Sequence, residues 1–130
     1  MACGPYQINN LKGLSNRTFN AGSLCMGAPN GTHHAIFQTD GNFVVYNSLG
    51  RATWSSRTTS TASGGTFAVQ GDGNIVIYNS AHHAVWSTGT FFNSSYRYIE
   101  LDIQSDGNLV AYMSNPAVFR AFWASGTNGQ

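Results

Sequence analysis

The stretch QTDGNFVVY, residues 38–46, decides how this chain is to be read. Asp40-Gly41 stands between two short apolar runs. An Asp-Gly pair in that setting is a strong hairpin signal, because the turn needs a residue that tolerates positive φ. Period two then governs the second run. Phe43 and Val45 share one face, and Asn42, Val44 and Tyr46 share the other. Gln38 ends the first strand and Asn42 opens the second. Four hydrogen-bonding side chains, Gln38, Asp40, Asn42 and Tyr46, are thus crowded around one turn and one strand face.

The stretch recurs as QGDGNIVIY at 70–78 and QSDGNLVAY at 104–112. The three glutamines are offset by 32 and 34 residues. A tryptophan follows each copy, in TWSS (Trp54), VWST (Trp86) and FWAS (Trp123). The spacing from Tyr to Trp is 8 residues in the first two copies and 11 in the third, where MSNPAVFRA holds three more. Repeats of this length signal one structural unit used several times. The units run over about 11–56, 57–89 and 90–126 of a single 130-residue domain. YIELDIQ puts Ile99, Leu101 and Ile103 on one strand face and leaves Glu100 and Asp102 on the other, read as exposed. Short runs such as GSLCM at 22–26 bring each unit to about four strands. No stretch has the 3.6-residue period of a helix.

The expected fold is therefore all-β, with three four-stranded antiparallel sheets around a pseudo-threefold axis. A small sheet cannot bury a face alone, but three can bury theirs against one another. Trp54, Trp86 and Trp123 are expected to fill the axis as core, rather than to form platforms on which a sugar stacks. Each buries on the order of 200 Å².

Composition narrows the function classes. Charged residues make up 8%, with a formal net charge of +1. Lys12 is the only lysine, and Arg17, Arg51, Arg57, Arg97 and Arg120 are scattered. A nucleic-acid partner calls for clustered cations against phosphates. No apolar run approaches the roughly 20 residues of a spanning helix, so no membrane insertion is expected. Aromatic content of 13% is high for a disordered chain. MACGPYQINN carries neither a basic nor an apolar leader region. The expectation is a cytoplasmic protein or one released without a signal peptide, or a secreted one if the sequence is a mature form behind an added Met. Cys3 and Cys25 form either one bridge or two free thiols on the sequence alone. Sequons at Asn16, Asn30 and Asn93 are what chance gives in a chain this rich in Asn, Ser and Thr.

The outward side chains call for a purpose. Asp and Asn bond locally to backbone in turns, so they serve a scaffold. Gln38 and Tyr46 flank the turn and are not explained that way. Together the set offers acceptors, amide donors and a hydroxyl around a small apolar residue. A saccharide hydroxyl both donates and accepts, so this mix suits a sugar edge.

Gln-x-Asp-x-Asn-x-Val-x-Tyr, three times with a downstream Trp, resembles the monocot mannose-binding (bulb-type) lectin family. The resemblance spans roughly residues 11–126, and all five motif positions are intact in all three copies. It implies a β-prism II fold with one carbohydrate site per sheet, binding mannose and mannose-rich glycans without a cofactor. Asp40 and Asn42 would bond the 2-hydroxyl of mannose, Gln38 the 3-hydroxyl and Tyr46 the 4-hydroxyl, with Val44 against the ring carbons. Gln70, Asp72, Asn74, Val76 and Tyr78 would repeat this, as would Gln104, Asp106, Asn108, Val110 and Tyr112. The resemblance also implies multivalent, agglutinating binding and a homodimer formed through the C-terminal strand FWASGTNGQ. Many secreted members carry a disulfide with one cysteine inside the first motif, where this chain has Gly41. Met113 stands where the other units have Asn47 and Asn79, which is expected to alter the outer contacts of the third site.

Other chemistry fits less well. Catalysis of glycoside cleavage needs an asymmetric acid and base pair, and three identical constellations do not offer one. A calcium loop starting at Asp40, Asp72 or Asp106 should end in Glu at its twelfth position, but Arg51, His83 and Ala117 stand there. His33-His34 and His82-His83 read as loop histidines, since adjacent strand residues point apart and chelate poorly. A β-prism used as a protein-interaction or toxin module, with sugar binding secondary, is the alternative reading.

Overall fold

A computed structural model of the chain describes residues 3–90, 96–114 and 119–130. The Asn93 sequon and the centre of the longer third-unit loop lie outside the described residues. The described residues form twelve strands and no helix. These are β1 (Gln7–Leu11), β2 (Arg17–Asn20), β3 (Leu24–Gly27), β4 (His34–Phe37), β5 (Phe43–Tyr46), β6 (Ala52–Ser55), β7 (Thr66–Val69), β8 (Ile75–Tyr78), β9 (Ala84–Ser87), β10 (Tyr98–Ile103), β11 (Leu109–Ser114) and β12 (Phe119–Ala124). They make three four-stranded antiparallel sheets, ordered β3-β4-β5-β6, β2-β7-β8-β9 and β1-β10-β11-β12.

The sheets are not simply the consecutive units. The first sheet lies wholly within the first repeat, but the second and third each take three strands from their own repeat and a fourth from the N-terminal segment. β1 joins the third sheet, β2 the second and β3 the first. The expectation of about four strands thus holds for each sheet, while the second and third stretches of sequence supply three of their own. One N-terminal segment hydrogen-bonds to all three sheets, which ties their folding together.

Alternation sends one face of every sheet inward. Phe37, Phe43, Val45, Phe67, Val69, Ile75, Ile77, Ile99, Leu101, Ile103, Leu109 and Ala111 form a single buried cluster. Each of its large side chains contributes about 1.5–3 kcal/mol on burial. Each outer strand carries a bulge at the same place, opposite Val45/Tyr46, Ile77/Tyr78 and Ala111/Tyr112. A bulge bends and twists its strand. Beside each bulge a tryptophan turns toward the axis. Trp54, Trp86 and Trp123 meet edge to face, with centroids 5.7, 5.3 and 5.6 Å apart. Aromatic rings favour this arrangement over face-to-face stacking. The trio packs on the buried cluster while remaining half-buried, so it is a core element at the rim of the axis.

Cys3 and Cys25 pair in a disulfide that pins the N-terminus to β3, where Gly4 N also donates to Cys25 O at 3.0 Å. Gly41, at the position of the family cysteine, has φ 87° and lies against the backbone of Ala62 and Ser63. No Cβ fits there, so this packing excludes a cysteine at 41. Two side-chain expectations need correction. His34 sits in strand β4, half-buried, and His33 beside it is buried; only His82 and His83 are exposed turn residues. Glu100 is 5% exposed rather than on an open face, because β1 covers β10 from the side and Gln7 Nε2 donates to Glu100 Oε2 at 2.6 Å.

Candidate functional site

Each motif is a tight loop between two inner strands. In the first, Gly41 N donates to Gln38 O and Gln38 N to Asn42 O, both at 2.9 Å. The turn proper runs from Gln38 to Gly41, so Asp40-Gly41 forms its second half rather than a two-residue hairpin. The glycine must adopt positive φ: 87° at Gly41, 94° at Gly73 and 91° at Gly107. Asp40, Asp72 and Asp106 each accept the backbone N–H two residues on through Oδ1, at 2.9 Å in all three. That leaves one carboxylate oxygen per site for another donor, and all three aspartates are exposed.

The asparagines are held from behind. Asn42 Oδ1 accepts from Ser56 Oγ and Thr58 N, both at 3.2 Å. Asn74 Oδ1 accepts from Thr88 Oγ1 at 3.2 Å and Thr90 N at 3.1 Å. Asn108 Oδ1 accepts from Ser125 Oγ at 3.1 Å, Gly126 N at 3.0 Å and Thr127 N at 3.2 Å. With the carbonyl occupied, the NH₂ group is the half of each side chain left to donate. The supporting threonine also clamps the turn: Thr58, Thr90 and Thr127 donate to the carbonyls of Gly41, Gly73 and Gly107 at 2.6, 2.9 and 2.7 Å. These six Ser and Thr residues are the ones sequence reasoning missed. Their signal was in plain view as WSSRT, WSTGT and WASGT, a Trp-x-Ser/Thr-x-Thr pattern in every unit.

The glutamine and tyrosine also come together. The amide of Gln38 meets the hydroxyl of Tyr46, as Gln70 meets Tyr78 and Gln104 meets Tyr112. With the Gln70 oxygen facing Tyr78, its nitrogen lies 3.2 Å from both Asp72 carboxylate oxygens. Tyr, Gln and Asp then form one chain of polar groups along the outward face. Val44, Val76 and Val110 lie beneath and keep only 3, 3 and 4% exposure, as a closed apolar floor. All fifteen motif side chains named from sequence are therefore gathered into three constellations, one per sheet.

The constellations have different surroundings. Gln70 and Asn74 are buried in the second site, while their counterparts in the other two are half-buried. The Tyr96 hydroxyl donates to Gly71 O beside that site, and burial followed by the nearby Asp72 charge pushes the phenol pKa up. In the third, Phe119 stacks on Tyr112 with centroids 4.9 Å apart. Met113 joins the core, whereas Asn47 and Asn79 cap their turns by accepting two backbone N–H groups each. Asp102 and Glu100 form a carboxyl pair across from Val110 and Tyr112. Burial first, then the hydrogen bond and charge of Glu100, push the Asp102 carboxyl up to about 8, against a smaller opposing bond from Gln7. Among the described residues no three His, Cys, Asp or Glu side chains gather in a way that could hold a metal ion.

The same architecture is found in solved lectins. Monocot mannose-binding lectins from Gastrodia elata, described as monomeric, superpose with a TM-score of 0.74 at 34% identity, covering 94% of this chain and 97% of theirs. The chain belongs to the monocot mannose-binding lectin family. A Japanese Marasmius oreades lectin is similar at TM-score 0.78 and 25% identity, over 97% of this chain and 94% of that one. Polygonatum cyrtonema lectin, solved in complex with monomannoside, gives 0.69 and 28%, over 96% and 99%. This lectin thus has the β-prism II fold of its family and is a carbohydrate-binding protein. No protein-family model and no curated protein sequence matches it.

Proposed function

We propose that this lectin binds mannose at each of its three constellations, without a metal, and acts through multivalency. The observation that carries the reading is the threefold recurrence of an exposed Asp carboxylate, an Asn NH₂ and a Tyr hydroxyl on the outward face. In this reading the Asp and Asn groups read the 2-hydroxyl, Gln the 3-hydroxyl and Tyr the 4-hydroxyl. Glucose differs from mannose at the 2-hydroxyl alone. Losing a bond to a charged group costs roughly 1.5–3 kcal/mol, about a 10- to 150-fold change in affinity. The expected outcome of competition binding is therefore mannose well ahead of glucose, unchanged by EDTA. Equal competition by the two sugars would overturn the reading.

A shallow site that touches one sugar binds weakly, on the order of millimolar. Three sites facing apart can bridge branches of a dense glycan surface and raise avidity by roughly 10²–10⁴. Binding, not turnover, is the proposed activity. A second copy joined through exchange of β12 would double the number of sites; β12 is an edge strand, with Phe119 53% exposed. Light scattering on the purified protein tests that assembly, and a monomer that still agglutinates would leave multivalency within one chain. The disulfide favours an oxidising compartment, hence the released form of the protein.

A further inference from the structure

In each unit one residue turns the chain from the outer strand back onto the motif. It is the fourth letter of WSSRT, WSTGT and WASGT: Arg57, Gly89 and Gly126. All three take positive φ, 59°, 69° and 73°. The next residue must reach back to the asparagine, and Thr58, Thr90 and Thr127 each donate N–H to its Oδ1, at 3.2, 3.1 and 3.2 Å. Glycine adopts that region freely, whereas a residue with a Cβ is strained there. Two other non-glycine residues have positive φ among those described. Ser60 gives its N–H to Asp40 O at 2.7 Å, and His82 carries a side chain that the region tolerates more readily. Arg57 has no comparable role inside the fold, for its guanidinium makes no hydrogen bond or ion pair with any described residue. Strain that the fold does not reward is a mark of function.

Arg57 lines a groove of about 440 Å³ along β6, together with Ala52, Thr53, Trp54 and Ser55. That volume lies in the range of small-ligand sites. None of the motif side chains lines it, so it is separate from the first constellation. β6 is an edge of its sheet, and an edge strand presents a row of unpaired backbone N–H and C=O groups. Trp54 is half-buried and gives the groove an apolar wall, and its indole N–H bonds to no described residue. Ser55 Oγ accepts from Arg57 N at 3.3 Å and keeps its own proton to donate. No carboxylate lines the groove, so the Arg57 charge has no counter-ion there. The planar guanidinium fork matches a carboxylate. Edge backbone, indole N–H and hydroxyl together match the mixed donors and acceptors of a sugar.

We propose that the β6 edge is a binding site for an acidic sugar, a uronic acid residue whose carboxylate pairs with Arg57 and whose ring lies along Trp54 and Ser55. The corresponding edges of the other two sheets do not offer it, because Gly89 and Gly126 carry no side chain. The site is independent of the mannose reading of the three constellations, since it shares no side chain with them. It also accounts for the residue at 57: the fold asks for glycine there, and the ligand asks for a guanidinium.

The test titrates the full chain with methyl glucuronide, with methyl glucoside as the neutral ring and with acetate as the carboxylate alone, while NMR follows the Trp54 indole N–H. Methyl glucuronide is expected to move that signal and to bind about 10-fold more tightly than either control, the gain from one charge-assisted contact. The gain should shrink as salt rises from about 20 to about 200 mM, because the pair lies at the surface. Arg57→Gly should abolish the preference for glucuronide, leave methyl α-mannoside binding unchanged and melt no lower than the parent, since glycine relieves the strain at this φ. Arg57→Lys should keep part of the preference. The proposal is overturned if glucuronide does not move the Trp54 signal, if acetate binds as well as glucuronide, or if the preference survives Arg57→Gly. A lower melting temperature for Arg57→Gly would also overturn it, by showing that the arginine serves the fold. None of these outcomes bears on the mannose reading, which the methyl α-mannoside titration tests separately.

Discussion

The first and third sheets carry the same five motif side chains on the same hairpin, yet their outward faces differ. Beside Val44 and Tyr46 stand Ile36 and His34, and the face opens into a groove. Beside Val110 and Tyr112 stand Asp102 and Glu100, a carboxyl pair flanked by the Phe119–Tyr112 stack. The difference separates two layers of design. The motif groups are held by the turn and by a Ser/Thr-x-Thr clamp that recurs in all three units. The cross-strand neighbours contribute nothing to that clamp and so are free to diverge. Three constellations can therefore share one set of side chains while having three environments.

The largest expected effect strikes what the sheets have in common. Trp86→Ala removes one member of the ring trio on which all three sheets close. It should lower stability by about 3 kcal/mol, the lower end for a large aromatic because the ring is half-buried. Chemical denaturation measures it. A variant as stable as the parent that has lost only sugar binding would turn the trio into a ligand platform and dissolve the common core.

A smaller effect separates clamp from motif. Ser125→Ala removes a hydroxyl that donates to Asn108 Oδ1 and accepts from Leu109 N. Leaving these groups short of a partner should cost roughly 1–2 kcal/mol and weaken the third site, with the first unaffected. Tyr112→Phe should weaken the same site with little loss of stability. Site-resolved NMR titration alongside thermal melts distinguishes the two. Equal stability in both variants would show that the clamp does not hold the asparagine.

A pH-dependent effect belongs to the third sheet alone. The Asp102 pKa is raised from 3.8 to about 8. A carboxyl that holds its proton more tightly when folded stabilises the fold most below the unfolded pKa. That contribution is lost as pH rises through the window from about 4 to about 8, and is constant above it. Stability measured across that window should fall with pH, and Asp102→Asn should flatten the decline. An unchanged slope in the variant would show that the pair is not the source.

Much of this was legible in the sequence. Period two within QTDGNFVVY and its copies, with a turn glycine and a trailing Trp, specified hairpins, their inward faces and the number of sheets. Those are local consequences of backbone sterics and alternation, so one strand's residues suffice to read them. The same stretch named the fifteen motif side chains that the structure gathers, because a turn brings nearby residues together whatever the rest of the chain does. The disulfide pairing, the fourth strands of the second and third sheets and the burial of Glu100 could not be read that way. Each depends on which distant segment lies alongside: Cys3 on Cys25, β1 on β10, and Gln7 on Glu100. The supporting Ser and Thr residues lie between these cases. Their pattern was written beside every Trp, but its meaning emerged only when the bulged outer strand returned past the turn and put Thr58 on Gly41, and Ser56 on Asn42. Sequence alone determined the motif and the hairpin that bears it, since those forces act within a dozen residues. Tertiary structure alone decided what each hairpin leans on and which groove or carboxyl pair stands beside it, because non-local pairing of strands selects those neighbours.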